Sequence, residues 1–313
     1  MYKIAIVGAG NMAFEHAKAI NEINGLNLVG VYSRSSQKAQ RFSDELNIDK
    51  VCDSISALYL ELEPDLVIIA VNEESFVEII DEVLEYSWKI LAEKPVGLGF
   101  DEFAHIQDKI RSLNKDLYVA MNRRNYPSTL AVKSEIDLLA GKRFINILDH
   151  QDINTYKNLH FSNKTYKYWM YKNSIHLLDY FIFLGRSNIE SVEVIQAYDE
   201  RKLNSVIAHI QYENADEGLY TGVWHGPGPW SVSVTHPDKY FLLAPLEEAK
   251  YRINESYKML DLKLPSCLND IFKPGIFEQA KEILKMLQGK EANLPRFEDY
   301  CQTVNLLYQV YGV

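Results

Sequence analysis

The residue pattern with the most definite chemistry lies directly after the first apolar run of the chain. Gly8 and Gly10 open the pattern G-x-G-x-x-A, between the β-branched run Tyr2–Val7 and an amphipathic segment. The first glycine permits a tight turn, the second lets the backbone approach a pyrophosphate, and the small last residue lets a helix pack close to the strand. The pattern predicts a dinucleotide site that includes Asn11 and Met12, although an ordinary strand-to-helix turn is the alternative.

The end of the second predicted strand bears on the choice of cofactor. The run Leu26–Tyr32 is typical of a buried strand, and Ser33 and Arg34 follow it. In sites that prefer NAD an acidic residue ends this strand and binds the ribose 2′-hydroxyl, and none stands here. Ser33 can hydrogen-bond a 2′-phosphate and Arg34 can meet its charge. The sequence therefore favours NADP over NAD, unless Arg34 is a solvated loop cation and either cofactor is used.

A regular succession of elements must position these residues. Through residues 1–121 strand and helix patterns alternate at short intervals, which is typical of a doubly wound parallel sheet of the Rossmann type. Residues 122–313 begin with a polar junction and contain several strand-like runs without intervening helices. These runs predict a mostly antiparallel sheet. We expect a dinucleotide-binding domain over residues 1–121 and a second domain over residues 122–313.

Composition limits the partners and the location. A chain of 313 residues with 47% hydrophobic residues and a net charge of −10 suits about two globular domains, and it disfavours nucleic acid or an anionic membrane as partner. No apolar run approaches the ~20 residues of a membrane span. Cys52, Cys267 and Cys301 are scattered without C-x-x-C spacing, which is typical of reduced thiols in a cytoplasmic protein and predicts no metal site.

Four motifs, taken together, resemble those of the Gfo/Idh/MocA oxidoreductases over essentially the full length of the chain. In order they are Gly8–Ala13, Glu93-Lys94-Pro95, Asn122-Arg123-Arg124 and His176-x-x-Asp179. The resemblance implies a Rossmann domain followed, over residues 122–313, by a substrate-binding and oligomerisation domain. That second domain is expected to be an α/β domain with a large, open, mostly antiparallel sheet. It also implies hydride transfer between a nicotinamide cofactor and a carbinol or ketone, commonly on a sugar, in a homodimer or homotetramer.

The resemblance makes Lys94 the acid–base group. Lys94 follows the predicted strand Lys89–Ala92, at the edge of the parallel sheet where ligands bind in doubly wound folds. Because desolvation and a nearby positive charge lower the pKa of lysine, oxidised nicotinamide would favour the base and reduced nicotinamide the acid. We expect Glu93 to have a positioning role at the cofactor. An exposed Glu-Lys pair is the alternative.

The same resemblance assigns roles to His176 and Asp179. The two residues are three positions apart on the predicted helix Ile175–Leu184 and share one of its faces. In the family the matching histidine hydrogen-bonds the reacting oxygen of the substrate or relays its proton, and the matching aspartate helps to orient the histidine or the substrate. A histidine satisfied within the core is the alternative.

Two departures from the family pattern concern the substrate. Lys172 stands four residues before His176, where many members carry aspartate, and the run that begins Val71-Asn72 lacks the family's proline and histidine. Lysine has three donors and no acceptor, so an anionic substrate would reconcile the first departure, provided that the helix extends back to residue 172. Alternatively Lys172 points to solvent and Asn173 supplies the polar contacts. Several other runs resemble surface-polysaccharide and nucleotide-sugar members of the family.

The remaining assignments complete the two predicted sites. Cofactor contacts are also expected from Val71, Asn72 and Asn122, and substrate contacts from Arg123, Tyr156 and Trp169. The aromatic residues could equally be core or oligomer contacts. Two other functions stay open, namely a cofactor-binding sensor without turnover and a glycosidase that uses bound NAD transiently.

Overall fold

The computed structural model describes residues 1–152, 161–199, 201–202, 204–265 and 271–313. They form two compact units. Unit 1 comprises Met1–Asn125 with Leu268–Glu298, and unit 2 comprises Tyr126–Cys267 with Asp299–Val313. The predicted substrate residue Tyr156 lies outside the described residues. Across the described ranges, no helix has both the length and the apolar character needed to cross a membrane.

A six-stranded parallel sheet forms the centre of unit 1. Its strands are β1 (Tyr2–Val7), β2 (Leu26–Tyr32), β3 (Val51–Cys52), β4 (Leu66–Ile69), β5 (Lys89–Ala92) and β6 (Leu117–Val119). They lie in the order β3-β2-β1-β4-β5-β6, and all neighbouring pairs run parallel. All four residues of β4 are buried, as expected of a central strand that is covered by helices on both faces. The predicted doubly wound fold is confirmed.

Helices connect these strands at short intervals. They are α1 (Asn11–Asn21), α2 (Ser36–Leu46), α3 (Ile55–Leu62), α4 (Phe76–Val83) and α5 (Phe100–Leu113), with 3-10 turns at Glu73–Ser75 and Asn122–Asn125. Serine side chains cap α2 and α3, where Ser35 and Ser54 accept hydrogen bonds from backbone N–H groups of the first turn. Helix α1 begins at Gly10 without a side-chain cap, which leaves its first amide groups available to a ligand.

An eight-stranded sheet forms the centre of unit 2. Its strands are β7 (Phe144–His150), β8 (Ile189–Gln196), β9 (Val206–Tyr212), β10 (Glu217–Val223), β11 (Trp230–Thr235), β12 (Lys239–Leu243), β13 (Lys250–Ile253) and β14 (Leu260–Asp261). Their order is β14-β13-β12-β11-β7-β10-β9-β8. Only β7 and β10 pair in parallel among these strands, and the other pairs are antiparallel. The predicted open, mostly antiparallel sheet is confirmed.

The faces of this sheet differ in burial. Along β7 buried and partly exposed residues alternate. Ile145 and Ile147 are buried, whereas Asn146 and Leu148 are partly exposed. Before β8, the described part of unit 2 contains four helices, α6 (Pro127–Ile136), α7 (Asn163–Lys167), α8 (Trp169–Lys172) and α9 (Ile175–Leu184). Helix α9 packs against β7 and β11, so it covers the buried face.

The last part of the chain departs from the predicted division at residue 121. Helix α10 (Ile276–Leu287) packs against α1, and its apolar residues share one core with those of α1. Burial of that shared surface attaches this late segment to unit 1, so residues 122–313 do not form one continuous domain. Helix α11 (Phe297–Tyr311) closes the chain, and its residues from Asp299 onward belong to unit 2.

Candidate functional site

The glycine turn of unit 1 lies between the ends of β1 and β4. Gly8 has a φ of 121°, and a Cβ at this position would lie 2.2 Å from the carbonyl oxygen of Ala70. Only glycine therefore allows this approach. A Cβ at Gly10 would meet no atom of the described chain within 4 Å. The open space beside Gly10 and the uncapped start of α1 suit a pyrophosphate.

A cavity of about 320 Å³ adjoins this turn. It brings together six residues that the sequence assigns to the cofactor, namely Gly8, Gly10, Ser33, Arg34, Val71 and Asn72. The structure adds Lys38, whose place in the first turn of α2 gave no sequence signal beyond its charge. Among the described lining residues there is no carboxylate, so the cations Arg34 and Lys38 determine the charge of this cavity.

Hydrogen bonds hold Arg34 at the edge of this cavity. Its guanidinium donates to the hydroxyl of Ser75, and the backbone N–H of Ser75 donates to Oδ1 of Asn72 at 2.9 Å. Asn72 thus stabilises the short helical turn before α4. Ser75, which belongs to that turn, restrains the Arg34 side chain. The side chain of Arg34 is exposed and that of Ser33 is half-buried, so both are accessible to a ligand in the cavity.

Lys94 follows β5 at the carboxyl end of the parallel sheet. Burial lowers the pKa of its amine to about 8, with smaller contributions from the neighbouring charges. Glu93 opposes the decrease, whereas the cations Arg123 and Lys273 add to it. A lysine with this pKa exchanges its proton readily near neutral pH, which is the property that an acid–base group needs.

Glu93, which precedes Lys94, is held by a buried contact with α1. Its Oε1 lies 2.8 Å from Nε2 of His16 on α1, and both side chains are buried. The sequence analysis missed His16, because a single histidine in an amphipathic helix carries no pattern. The contact joins the segment that follows β5, which leads to Lys94, to the helix that begins at the glycine turn.

The segment before α10 approaches the same part of unit 1. Asn122, a predicted cofactor residue, is buried and donates from Nδ2 to the carbonyl oxygen of Pro274 at 3.1 Å. Nζ of Lys273 lies 3.0 Å from Sδ of Met12, in the first turn of α1. Asn11 is exposed at the start of α1. The sequence analysis missed Lys273 as a site residue, because more than half of the chain separates it from the glycine turn.

In unit 2, His176 and Asp179 lie buried on α9. Oδ1 of Asp179 accepts a hydrogen bond from Oγ1 of Thr303 on α11 at 2.8 Å. The two residues therefore share a helix, as predicted, and at least one oxygen of the aspartate binds the neighbouring helix. The sequence pattern gave no signal for Thr303.

The condition on which the relation between Lys172 and His176 depends is not met. Helix α8 ends at Lys172 and α9 begins at Ile175, with Asn173 at φ −122° between them, so no continuous helix places residue 172 one turn before residue 176. Nor does Lys172 extend freely into solvent. Its Nζ lies 4.4 Å from the ring centroid of Phe161, and burial lowers its pKa to about 8.

Gln151 connects two of the predicted substrate residues. Its Oε1 accepts hydrogen bonds from Nε1 of Trp169 at 3.0 Å and from Nδ2 of Asn173 at 2.9 Å. Trp169 is 3% exposed and packs against the rings of Phe161 and Tyr166. This arrangement corresponds to the core alternative for Trp169. The sequence gave no signal for Gln151, the shared partner of Asn173 and Trp169.

Gln151 also contacts a buried carboxylate, that of Asp149. The amide of Gln151 donates to Oδ1 of Asp149, and the hydroxyl of Tyr220 donates to Oδ2 at 2.6 Å. Tyr311 continues the chain of hydroxyls, 2.7 Å from that of Tyr220. Burial raises the pKa of Asp149, and the hydrogen bonds partly offset this. Throughout the described residues, no group of three His, Cys, Asp or Glu side chains could hold a metal ion.

Comparison with known proteins agrees with the geometry of unit 1. Residues 2–121 match the profile of the Gfo/Idh/MocA family, described as an oxidoreductase family with an NAD-binding Rossmann fold. A curated relative, the glucose-6-phosphate 3-dehydrogenase of Bacillus subtilis (strain 168), is 28% identical over 154 residues, which are 47% of this chain and 41% of that enzyme. The D-glucoside 3-dehydrogenase of Escherichia coli (strain K12) is 26% identical over 135 residues, 43% of this chain and 38% of that enzyme.

The two curated relatives match less than half of this chain, whereas a solved structure matches nearly all of it. The chain spans less than half of the length of either curated relative. The solved structure of a UDP-N-acetylglucosamine 3-dehydrogenase from Acidithiobacillus ferrooxidans matches with a TM-score of 0.77 and 15% identity, over 99% of this chain and 97% of that one. The full-length match therefore establishes the fold, and the family profile matches residues 2–121 alone.

Proposed function

We propose that this protein, a Gfo/Idh/MocA oxidoreductase by its residues 2–121, is a nicotinamide-dependent sugar dehydrogenase. The observation that supports this most directly is Lys94, a desolvated amine with a pKa of about 8 at the carboxyl end of β5. Bound nicotinamide would supply the hydride acceptor or donor. The glycine turn, the cavity beside it and the uncapped α1 fit the dinucleotide.

In the proposed reaction Lys94 handles the proton of the reacting oxygen. In its neutral form Lys94 takes the proton from the substrate hydroxyl during oxidation, and in its charged form it returns a proton to the ketone oxygen during reduction. The pKa of about 8 makes both forms accessible near neutral pH. His176 is the second proposed catalytic residue, as a hydrogen-bond partner or proton relay for that oxygen, with Asp179, Asn173 and Arg123 as proposed substrate residues.

The proposed substrate is a hexose derivative oxidised at its 3-hydroxyl. Both curated relatives are named as sugar 3-dehydrogenases, one acting on a phosphorylated sugar. Lys172 supports an anionic derivative, because a desolvated ammonium is stabilised by a substrate phosphate or carboxylate. A sugar phosphate or a nucleotide sugar has such a group.

The proposed cofactor preference is NADP over NAD. Arg34 and Lys38 line the cavity with Ser33, and no carboxylate occurs among its described lining residues. A 2′-phosphate would meet two cations there, whereas a 2′-hydroxyl gains little from them.

The deciding experiment is a substrate screen read by cofactor absorbance at 340 nm. Glucose 6-phosphate, alkyl glucosides and UDP-sugars are each incubated with NADP and with NAD, using the parent protein and Lys94→Ala. We expect turnover in the parent and a decrease of about 10²–10⁴-fold in Lys94→Ala with cofactor binding retained, because one acid–base group contributes about that much. Activity of Lys94→Ala within a few-fold of the parent would move the acid–base role to His176.

The same screen separates the two other functions. Release of sugar from glycosides without net change at 340 nm would identify a glycosidase that uses NAD transiently. Tight cofactor binding without turnover on any sugar would identify a sensor.

A homodimer or homotetramer in the cytoplasm remains our proposal for the assembled protein. The partly exposed face of the eight-stranded sheet, which includes Asn146 and Leu148 of β7, supports a second copy as its cover. Sedimentation measurements would test the assembly. The cytoplasmic location rests on composition alone.

A further inference from the structure

Unit 1 includes Leu268–Glu298, a late part of the chain that we call the returning segment. We infer that Lys273, in this returning segment, is a cofactor-binding cation that contacts the pyrophosphate of the dinucleotide. This inference rests on the proposed function for the identity of the cofactor, and it adds a residue that lies outside the Rossmann motif. It concerns only groups within unit 1.

The position of the Lys273 amine carries the inference. Nζ lies 3.0 Å from Sδ of Met12, the second residue of α1. A thioether is a weak hydrogen-bond acceptor and offers a lysine little compensation. The amine thus lies beside the first turn of α1, and in doubly wound folds the start of this helix binds phosphates.

Contacts on both sides of Lys273 restrain its backbone beside α1, which keeps the amine within reach of the start of that helix. Phe272 is buried in the core of unit 1 and stacks on Phe277, with ring centroids 5.0 Å apart. Asn122 binds the carbonyl oxygen of Pro274. The backbone N–H of Lys273 itself donates to Oε2 of Glu15 on α1 at 3.3 Å. These contacts hold the segment against the first two turns of α1.

Charge gives a second reason for a ligand at this place. Lys273 and Arg123 both lie close enough to Lys94 for their charges to lower its pKa, against the opposing charge of Glu93. Cations gathered near one strand end are mutually unfavourable without an anion. A pyrophosphate beside α1 would neutralise Lys273 and reduce this repulsion, since opposite charges attract over a few ångströms.

The test uses binding alone, with two fragments of the cofactor as probes. ADP-ribose contains the pyrophosphate, and adenosine 2′-monophosphate lacks it. We expect Lys273→Met to bind ADP-ribose about tenfold more weakly in calorimetry, the loss expected for one charge-assisted contact, while adenosine 2′-monophosphate binds as to the parent. Lys273→Arg should retain most of the affinity. Lys290→Met, which removes an exposed charge from the same returning segment, is the matched control.

Salt supplies a second readout. The affinity of the parent for ADP-ribose should fall as ionic strength rises, and Lys273→Met should show a weaker dependence because the contact is solvent-accessible. Equal affinity of Lys273→Met and the parent for ADP-ribose would overturn the inference. So would an equal loss for both probes, because that would indicate a general disturbance of unit 1.

The outcome is separable from that of the proposed function. A specific loss of ADP-ribose affinity in a protein that turns over no sugar would sustain the role of Lys273 and remove the dehydrogenase proposal. Sugar oxidation together with unchanged ADP-ribose affinity would do the reverse.

Discussion

Glu93 and His16 form a buried hydrogen bond of 2.8 Å that joins the carboxyl end of β5 to helix α1. The two side chains are 7% and 2% exposed. Because Glu93 immediately precedes Lys94 and α1 begins at the glycine turn, the contact couples the proposed acid–base group to the dinucleotide loop. A substitution of Glu93 should therefore change the pKa of Lys94 while leaving the amine itself in place.

Glu93→Gln should lower the pKa of Lys94 below about 8. The negative charge of Glu93 stabilises the ammonium form, so its removal favours the neutral amine. The pH dependence of Lys94 acylation, followed by mass spectrometry, measures this pKa directly. Lys273→Met removes a positive neighbour and should move the pKa in the opposite direction. Glu22→Gln, at the exposed end of α1, is the control and should leave the profile unchanged.

Lys94→Met should stabilise the protein at pH 7 while abolishing turnover. The folded pKa of about 8 lies below the ordinary 10.5, so the unfolded chain binds more protons between these pH values and stability rises with pH through that interval. At pH 7 the folded protein carries the full cost of the buried charge, at most about 3 kcal/mol for this shift.

The measurement is the free energy of unfolding in urea at pH 7 and at pH 10.5 for the parent and the variant. We expect a gain at pH 7 that shrinks toward zero at the higher pH. Lys290→Met changes an exposed lysine and should show no such difference. A loss of stability in Lys94→Met at pH 7 would mean that the amine stabilises the fold.

Arg34→Ala should remove most of the preference for NADPH over NADH. A charge-assisted contact contributes about 1.5–3 kcal/mol, which is about tenfold or more in affinity. Fluorescence titration with both cofactors measures the ratio, and Lys38→Ala should reduce it further in the double variant. Arg41→Ala, on the exposed side of α2, is the matched control. Equal dissociation constants for the two cofactors in the parent would refute the preference.

Lys172→Met should raise KM for an anionic sugar and leave that for a neutral sugar nearly unchanged. The Lys172 amine is desolvated over the ring of Phe161, and burial of its charge is offset when a substrate anion binds it. Steady-state kinetics with glucose 6-phosphate and with a methyl glucoside test this. Lys167→Met removes an exposed lysine of α7 and should affect neither substrate. An unchanged KM for the phosphorylated sugar would end the anionic-substrate hypothesis.

The fold and the glycine turn could be predicted from the sequence because both depend on the pattern of neighbouring residues. Alternating apolar runs identify the parallel sheet, and Gly8 is required by one close approach to Ala70. Contacts between distant residues leave no such pattern. His16 meets Glu93 across 77 positions, and Lys273 meets Met12 across 261.

The break between α8 and α9 has a different physical cause. The chain leaves the helical conformation at Asn173, so the helix of His176 does not extend back to residue 172. There the Asn173 side chain binds Gln151, and tertiary contacts override local helix propensity. The sequence gave no signal for that partner.

The packing of α10 on α1 has a consequence for the newly made chain. Ribosomes release the N-terminal end first, so Ala17 and Ile20 emerge long before Ala280 and Ile283, with which they share a core. Unit 1 therefore cannot finish folding until every strand of the eight-stranded sheet has been translated. A fragment that stops at residue 121 should expose this apolar surface and require a chaperone to remain in solution.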